Sequence, residues 1–211
     1  MADEGAESQD INELFFEDPE DTQRKLLAAT YQALCEHGYA DLSLQTIGDE
    51  FEKSTSLIYY HYDSKDELVL DTLDAMLEQL EETLSEHPDD PESAIEVYLE
   101  MIDPGETKEP TLERAIVELR GQAPNSEQYK RRFERADTVI DQRLKQVVQA
   151  GIDQGVFVEQ DAEQTGRVLY TLLTGVMVRR ASTSDAEWIS AISSEIRTRL
   201  YGDKAPAEEK H

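Results

Sequence analysis

One short stretch of the chain concentrates side chains that can contact a nucleic acid. It contains Ser56, Tyr59, Tyr60, His61 and Lys65 within ten positions. Hydroxyl, phenol, imidazole and ammonium groups are donors that proteins direct at phosphate oxygens and at the edges of bases. We therefore treat this stretch as a candidate nucleic-acid interface and ask which elements position it.

Two short helices joined by a tight turn are predicted to hold these side chains. Leu44, Ile47 and Phe51 recur at steps of three and four residues, which gives the first helix one apolar stripe. The pair Glu52-Lys53 interrupts this pattern, and the hydroxyls of Ser54-Thr55 can cap a new helix. This arrangement is typical of a unit that lays its second helix in the major groove of DNA.

Helices are also predicted on both sides of this pair. Asp18-Pro19 is expected to start a first long helix, and Gly38 to stop it. Ser64 and Glu67 have the spacing of a capping box that opens a fourth helix. That helix carries a long apolar stripe toward His87-Pro88, so it is expected to connect the candidate interface to the rest of the chain.

Three consecutive segments carry a resemblance to a known family. Ile47-Gly48 lies before the turn, Tyr59-Tyr60-His61-Tyr62 follows it, and Ser64-Lys65-Asp66-Glu67-Leu68 comes next. Over residues 20–70 this order resembles the N-terminal signature of TetR-family repressors. The turn departs from the family pattern, because Glu52-Lys53 stands where the family usually has Gly-Val.

The resemblance implies which side chains contact DNA. Tyr59 and Lys65 fall on the positions of the family that contact phosphate. The other polar positions of the second helix fall where side chains meet base edges or the sugar-phosphate backbone, and Lys53 of the turn is included with them. The expected DNA-binding residues are thus Lys53, Thr55, Ser56, Tyr59, Tyr60, His61 and Lys65.

Composition places few restrictions beyond the compartment. The chain has 211 residues, and no apolar run approaches the roughly 18 residues of a membrane span. Its first ten residues are acidic and lack the apolar segment of a secretory signal. A single cysteine, Cys35, excludes an intramolecular disulfide and fits a reducing compartment. We expect a cytoplasmic protein with no membrane contact.

The charge balance is unusual for a protein that binds DNA. The chain has 47 acidic and 20 basic residues, a formal net charge of −27, whereas a basic surface is the usual footprint of a DNA-binding protein. One interpretation is that the protein does not bind DNA. The interpretation we favour is adaptation to a salty cytoplasm, as in halophilic archaea, where excess carboxylates keep the surface hydrated.

The C-terminal half is predicted to be entirely helical, with two broadly apolar helices at its end. These helices, at about residues 161–181 and 185–200, have more apolar surface than one core face needs. Packed against the same pair of a second copy, they would form a four-helix homodimer interface. Residues 151–180 also resemble the ligand-binding and dimerisation region of many TetR-type regulators.

A small-molecule effector is expected to bind inside these C-terminal helices. Such sites are lined by apolar and aromatic groups with a few polar ones. Residues of these types are more often ordinary core residues than ligand contacts. The candidates are Tyr98, Met101, Phe133, Tyr170, Met177 and Trp188.

No pattern of catalytic or metal-binding residues is found in the sequence. It has no glycine-rich phosphate loop, no H-E-x-x-H, no paired cysteines and no G-x-S-x-G. The four histidines, of which His61 lies in the candidate interface, lack ligand spacing. We therefore predict no enzyme, no cofactor and no metal. Two rivals remain: an effector-free helical adaptor that binds a protein partner through its acidic surface, and a helical-bundle enzyme.

Together these observations predict an all-α protein with an N-terminal three-helix helix-turn-helix head and a C-terminal helical ligand-binding and dimerisation domain. The predicted division is a flexible acidic arm at 1–17, the head at 18–66, the helical domain at 67–201 and a disordered tail at 202–211. The predicted function is a ligand-responsive regulator, a repressor, that binds a palindromic operator as a homodimer and is released by a small apolar or amphipathic effector.

Overall fold

A computed structural model describes residues 22–51, 55–85, 90–103, 111–183 and 187–202, and these contain helices and no strand. The expected all-α class is confirmed. None of the described helices is long and apolar enough to cross a membrane. The helices are α1 Thr22–Asp41, α2 Leu44–Glu50, α3 Thr55–His61, α4 Lys65–Thr83, α5 Pro91–Ile102, α6 Thr111–Arg120, α7 Glu127–Asp153, α8 Ala162–Ser182 and α9 Glu187–Tyr201, with a 3-10 turn Ala123–Asn125 before α7.

Several predictions fall outside the described residues. They concern the arm at 1–17, the Asp18-Pro19 helix start, the Glu52-Lys53 turn and most of the tail at 202–211. The helix α9 begins at Glu187, close to the start at about residue 185 that the sequence predicts.

Gly38 interrupts α1 near its C-terminal end. The residue has φ +73° and ψ 165°, and the helical path resumes after it and reaches Asp41. A left-handed φ is one that glycine adopts without a Cβ clash, which explains why the stop signal was placed correctly. A Cβ at this position would also lie 2.9 Å from the Glu118 carboxylate of α6.

Local side-chain caps start the helices around the turn. The Ser43 hydroxyl accepts from the backbone N–H of Thr46 at 3.1 Å, and the Thr46 hydroxyl accepts from the N–H of Ser43 at 2.8 Å. Ser64 likewise accepts from the N–H of Glu67 at 3.2 Å. These bonds satisfy N–H groups that a helix start leaves without intrahelical partners. The helix start predicted at Ser64 is confirmed.

The chain divides into two compact units. One comprises Met1–Leu80 and Arg114–Phe133, and the other Glu81–Glu113 and Glu134–His211. In the first unit α1 packs against α2 and α2 against α3, over a core that includes the fully buried Leu26, Ile47 and Ile58. This unit thus joins the predicted head to most of α6 and the start of α7.

In the second unit, α5 packs against α8 and α9. Asp90 caps α5 by accepting from the N–H of Glu92 at 3.1 Å, and Asp161 caps α8 by accepting from that of Gln164 at 2.9 Å. Gly166 of α8 lies so close to α7 that an added Cβ would be 2.8 Å from the backbone nitrogen of Lys145. A glycine at this position therefore permits close packing of the two helices.

Candidate nucleic-acid interface

The recognition helix α3 has one buried and one exposed face. Ile58 is fully buried and Leu57 partly buried, so these side chains hold the helix against the head. Tyr59 and Tyr60 keep 62% and 81% of their accessible surface, and Ser56 and His61 are exposed as well. The four polar candidates of this helix that the structure describes are therefore all accessible to a ligand.

Two of these exposed rings are in contact with each other. The centroids of the Tyr60 and His61 rings are 5.1 Å apart, and the ring planes meet at 88°. An edge-to-face pair restricts the rotamers of both side chains. The hydroxyl of Tyr60 and the nitrogens of His61 are thereby presented from the C-terminal end of α3 in a defined relation.

Tyr62, the next aromatic residue, belongs to the core of the head. It is 4% exposed, and its hydroxyl accepts from Gln23 Nε2 at 3.4 Å and donates to Asp71 Oδ2 at 3.1 Å. Burial is the main cause that raises the pKa of this phenol to about 12. The aromatic run Tyr59 to Tyr62 thus divides into three exposed rings, those of Tyr59, Tyr60 and His61, and one structural ring.

Lys65, the first residue of α4, is held by the end of α1. Its Nζ donates to the backbone oxygen of Tyr39 at 3.2 Å and lies 4.5 Å from the centroid of the Tyr39 ring. The Tyr39 hydroxyl in turn donates to Asp66 Oδ1 at 3.0 Å. Desolvation is the largest cause that raises the pKa of Tyr39. Lys65 is thus half-buried, in contrast to the exposed candidates of α3.

The structure describes two other expected DNA-binding residues incompletely or not at all. Lys53 lies outside the described residues, and Thr55 is the first residue of α3 but its side chain is not among those described. Arg24 and Lys25 of α1 are exposed cations of the same unit.

The surroundings of α3 are acidic. Asp63, Asp66 and Glu67 follow the helix directly and are all exposed. The N–H of Asp63 donates to Glu67 Oε2 at 3.0 Å, so that one carboxylate is partly satisfied by the backbone. The described part of the interface therefore combines hydroxyls, rings and one held ammonium, and it lacks the cluster of lysines and arginines common on DNA-binding surfaces.

The interpretation of the sequence missed the part that α6 takes in supporting the interface. The backbone N–H of Tyr39 donates to Glu118 Oε2 at 2.8 Å, across 79 positions of sequence. Glu118 is also paired with Arg114 at 3.0 Å. Tyr39, which holds Lys65, is thus itself fixed by a carboxylate from a distant helix.

Two cations at the start of α7 are paired with carboxylates. Arg132 Nε pairs with Asp74 Oδ2 at 2.9 Å, and Lys130 Nζ lies 3.8 Å from Glu127 Oε1. The second of these pairs is exposed and contributes little to stability. Arg132 joins α7 to α4 within the first unit.

The six candidates for an effector site do not all lie in one unit. Phe133 belongs to the first unit, where the Arg120 guanidinium lies 4.4 Å from its ring centroid. The other five are in the second unit, on α5, α8 and α9. Those five are Tyr98, Met101, Tyr170, Met177 and Trp188.

Within the second unit the aromatic candidates already have partners. Tyr98 is fully buried and donates to the backbone oxygen of Leu169, and burial raises its pKa. Tyr170 donates to Asp137 Oδ1 at 2.5 Å. The guanidinium of Arg179 covers the ring of Trp188 at 3.9 Å. An effector that binds here would therefore have to replace these contacts between groups of the protein.

Two family models together, and one solved structure, are similar to most of the chain. Residues 26–72 match the family model described as bacterial regulatory proteins, tetR family, and residues 91–198 match that of the BetI-type transcriptional repressor, C-terminal. A TetR transcription regulator from Haloarcula marismortui has 36% sequence identity, with a TM-score of 0.74 over 84% of this chain and 95% of that one. No curated protein is significantly similar to the chain.

More distant solved structures share the fold. NemR from Escherichia coli, in its reduced form, is 17% identical, with a TM-score of 0.74 over 89% of this chain and 100% of that one. A transcriptional regulator from Saccharomonospora viridis, solved in complex with choline, is 18% identical, with a TM-score of 0.69 over 82% of this chain and 92% of that one.

These matches define a helix-turn-helix transcription regulator with a C-terminal helical domain. The chain belongs to the TetR family. Its membership makes it a regulator that binds DNA and not an enzyme, and it disfavours both the protein-binding adaptor and the helical-bundle enzyme.

Proposed function

We propose that the chain is a transcriptional repressor that binds a palindromic operator as a homodimer and is released by a small apolar or amphipathic effector. The observation that carries the proposal is the exposed face of α3, where Ser56, Tyr59, Tyr60 and His61 stand opposite the buried Ile58. The match of residues 91–198 to a repressor-type C-terminal model supports repression over activation.

In this proposal Tyr59 and Lys65 contact phosphates, and the remaining candidates of the turn and of α3 contact base edges or the backbone. Those remaining candidates are Lys53, Thr55, Ser56, Tyr60 and His61. Half-sites would repeat at about one turn of DNA, roughly 34–36 Å. The DNA-binding function is assigned to residues 18–66 and the effector and dimer functions to 67–201, in the cytoplasm where the operator lies.

The proposed dimer uses α8 and α9. Thr171, Gly175 and Val178 lie at steps of four and three on α8 and are all exposed, and Val178 keeps 44% of its surface. A Cβ added at Gly175 would meet nothing within 4 Å. Small and apolar groups on an exposed helix face allow a second helix to approach closely.

A single substitution tests the proposed interface without disrupting the fold of the protomer. Gly175→Trp is accommodated within the protomer but obstructs a partner helix, so we expect it to give monomers in analytical ultracentrifugation. Gln146→Trp, at an exposed position of α7, is the matched control and should remain dimeric. A dimeric Gly175→Trp protein would contradict the use of this face.

The operator is tested by gel shift against the promoters of the adjacent genes, at rising KCl concentration. The excess of acids supports a DNA complex adapted to high salt, in which groove fit and base contacts matter more because counterion release adds little. We expect residual specific binding above about 1 M KCl. Complete loss of binding above that concentration would refute the adaptation to salt. Absence of binding to every adjacent promoter at low salt would refute the proposal that the protein regulates nearby genes.

Effector release is tested on the same complex. The aromatic residues Tyr98, Tyr170 and Trp188 and the half-buried carboxylate of Asp137 support a small ligand with both apolar and polar groups. Choline is the first probe, because a structural neighbour was solved with it. Release requires that the effector bind more tightly to a state of low DNA affinity. Dissociation by choline would support this ligand class, whereas dissociation only by other compounds would exclude choline.

A further inference from the structure

Three metal-ligating side chains from two helices of the head converge at one point. Glu36 and His37 lie near the end of α1, and Glu50 is the last residue of α2. One donor atom of each lies within 4.8 Å of the other two. His37 Nε2 is 3.7 Å from Glu36 Oε2. The sequence offered no sign of this group, because thirteen positions separate His37 from Glu50.

The two carboxylates of this group oppose each other. Glu50 is partly buried, and its pKa is raised first by desolvation and then by the charge of Glu36 and a hydrogen bond to it. Asp49 acts in the same direction, whereas His37 acts in the opposite one. Two carboxylates in this relation repel each other unless a proton or a cation lies between them. The three donor atoms meet where a bound cation would lie between the two carboxylates and the imidazole.

We propose that Glu36, His37 and Glu50 form a binding site for a divalent transition-metal ion of the Zn²⁺ type. Zinc binds imidazole nitrogen and carboxylate oxygen at about 2.0–2.2 Å, so two ligands of a tetrahedral ion are about 3.4 Å apart. The three donors, which lie within 4.8 Å of one another, would close to that separation when an ion binds. Mg²⁺ and Ca²⁺ fit less well, because they prefer oxygen ligands alone.

Three protein ligands leave a zinc ion with at least one position for water. The imidazole is what separates this group from the many carboxylate clusters of so acidic a chain. An ion bound to it would join the end of α1 to the end of α2. Glu50 is five positions before the start of α3, so the ion would fix the helix that leads into the recognition helix.

The test uses the full chain, stripped with a chelator and titrated with CoCl₂ and ZnCl₂ in about 2 M KCl, which screens weak association with exposed acids. We expect one saturable Zn²⁺ ion per chain, a Co²⁺ absorption band from a site with a nitrogen ligand, and a rise of several degrees in Tm with Zn²⁺. Excess MgCl₂ should not displace the Co²⁺.

Two variants and two controls complete the test. His37→Gln and Glu50→Gln should each weaken Zn²⁺ binding at least about tenfold and abolish the rise in Tm. His61→Gln and Glu78→Gln, at an exposed histidine and an exposed glutamate elsewhere in the unit, should leave both unchanged. The proposal is overturned if the wild type shows no saturable site, or if either His37→Gln or Glu50→Gln binds Zn²⁺ as the wild type does. Circular dichroism of each apo variant excludes loss of fold as the cause.

Discussion

The ammonium of Lys65 lies 4.5 Å from the centre of the Tyr39 ring and donates to the backbone oxygen of the same residue at 3.2 Å. Tyr39 of α1 therefore contacts the ammonium of Lys65 twice, through its ring and through its backbone oxygen. A side chain already fixed in place loses less conformational entropy when it contacts a phosphate. The contact proposed for Lys65 thus depends on a residue that would not itself touch DNA.

Replacing the Tyr39 ring should weaken DNA binding irrespective of sequence. In Tyr39→Leu the cation loses a ring interaction of about 0.5–1 kcal/mol, and we expect an affinity roughly two- to fivefold lower for operator and unrelated DNA alike. Tyr39→Phe keeps the ring and loses only the hydroxyl, with its bonds to Asp66 and Tyr129, so it serves as the matched control. Fluorescence anisotropy with both DNAs measures the effect. Equal losses in the two variants would rule out the ring as the cause.

Tyr59 and His61 should differ in what their loss changes. We expect Tyr59→Phe to weaken binding to all sequences by a similar factor, because it removes a phosphate contact. His61→Ala should instead relax the preference at particular base pairs by about 1–3 kcal/mol. Binding to a panel of operators with single base changes distinguishes the two. Both residues are exposed, so circular dichroism should show an intact head, and an unfolded head would invalidate both assignments.

Tyr62 gives the head a dependence on alkaline pH. Its ordinary pKa is 10.0 and its folded pKa is raised to about 12, so the folded state favours the neutral phenol. The stability that follows from this shift is present below pH 10 and is lost as the pH rises toward 12. As the pH rises from 10 toward 12, the free energy of unfolding of the wild type should therefore fall relative to that of Tyr62→Phe. Denaturant unfolding at several pH values measures it, and a constant difference would refute a buried phenol.

Gly166 and Gly175, on the same helix, should respond oppositely to alanine. At Gly166 the new Cβ would meet the backbone of α7, and we expect a loss of about 1–3 kcal/mol in stability. At Gly175 the Cβ meets nothing in the protomer, and the higher helix propensity of alanine should add up to about 1 kcal/mol. Denaturant unfolding at one protein concentration compares them. A neutral Gly166→Ala would mean that α7 and α8 are less closely packed than described.

Local signals predicted much of this molecule. The cap at Ser64 marked a helix start because a capping side chain bonds to an N–H only two or three residues away. The burial of Ile47 and Phe51 followed from helical periodicity in the same way. These features depend on neighbours in sequence, and the TetR-like order of residues 47–68 placed them in a known fold.

The remainder depended on contacts between distant segments. The bond from Tyr39 to Glu118 spans 79 positions, and neither residue type nor spacing indicates it. Phe133 is an effector candidate because it is an aromatic residue of the C-terminal helices, yet it lies with Arg120 in the first unit. Periodicity tells which face of a helix is buried, but it does not tell which other helix covers that face.

The assembly of the first unit from Met1–Leu80 and Arg114–Phe133 has a consequence for synthesis on the ribosome. The helix-turn-helix segment leaves the ribosome first, but its Tyr39 contact partner on α6 is made later. At about 5–20 residues per second, the 53 positions between Leu80 and Phe133 take roughly 3–10 s to translate. During that interval the nascent head exists without its closing segment, so its maturation is timed by elongation through α6 and the first turns of α7.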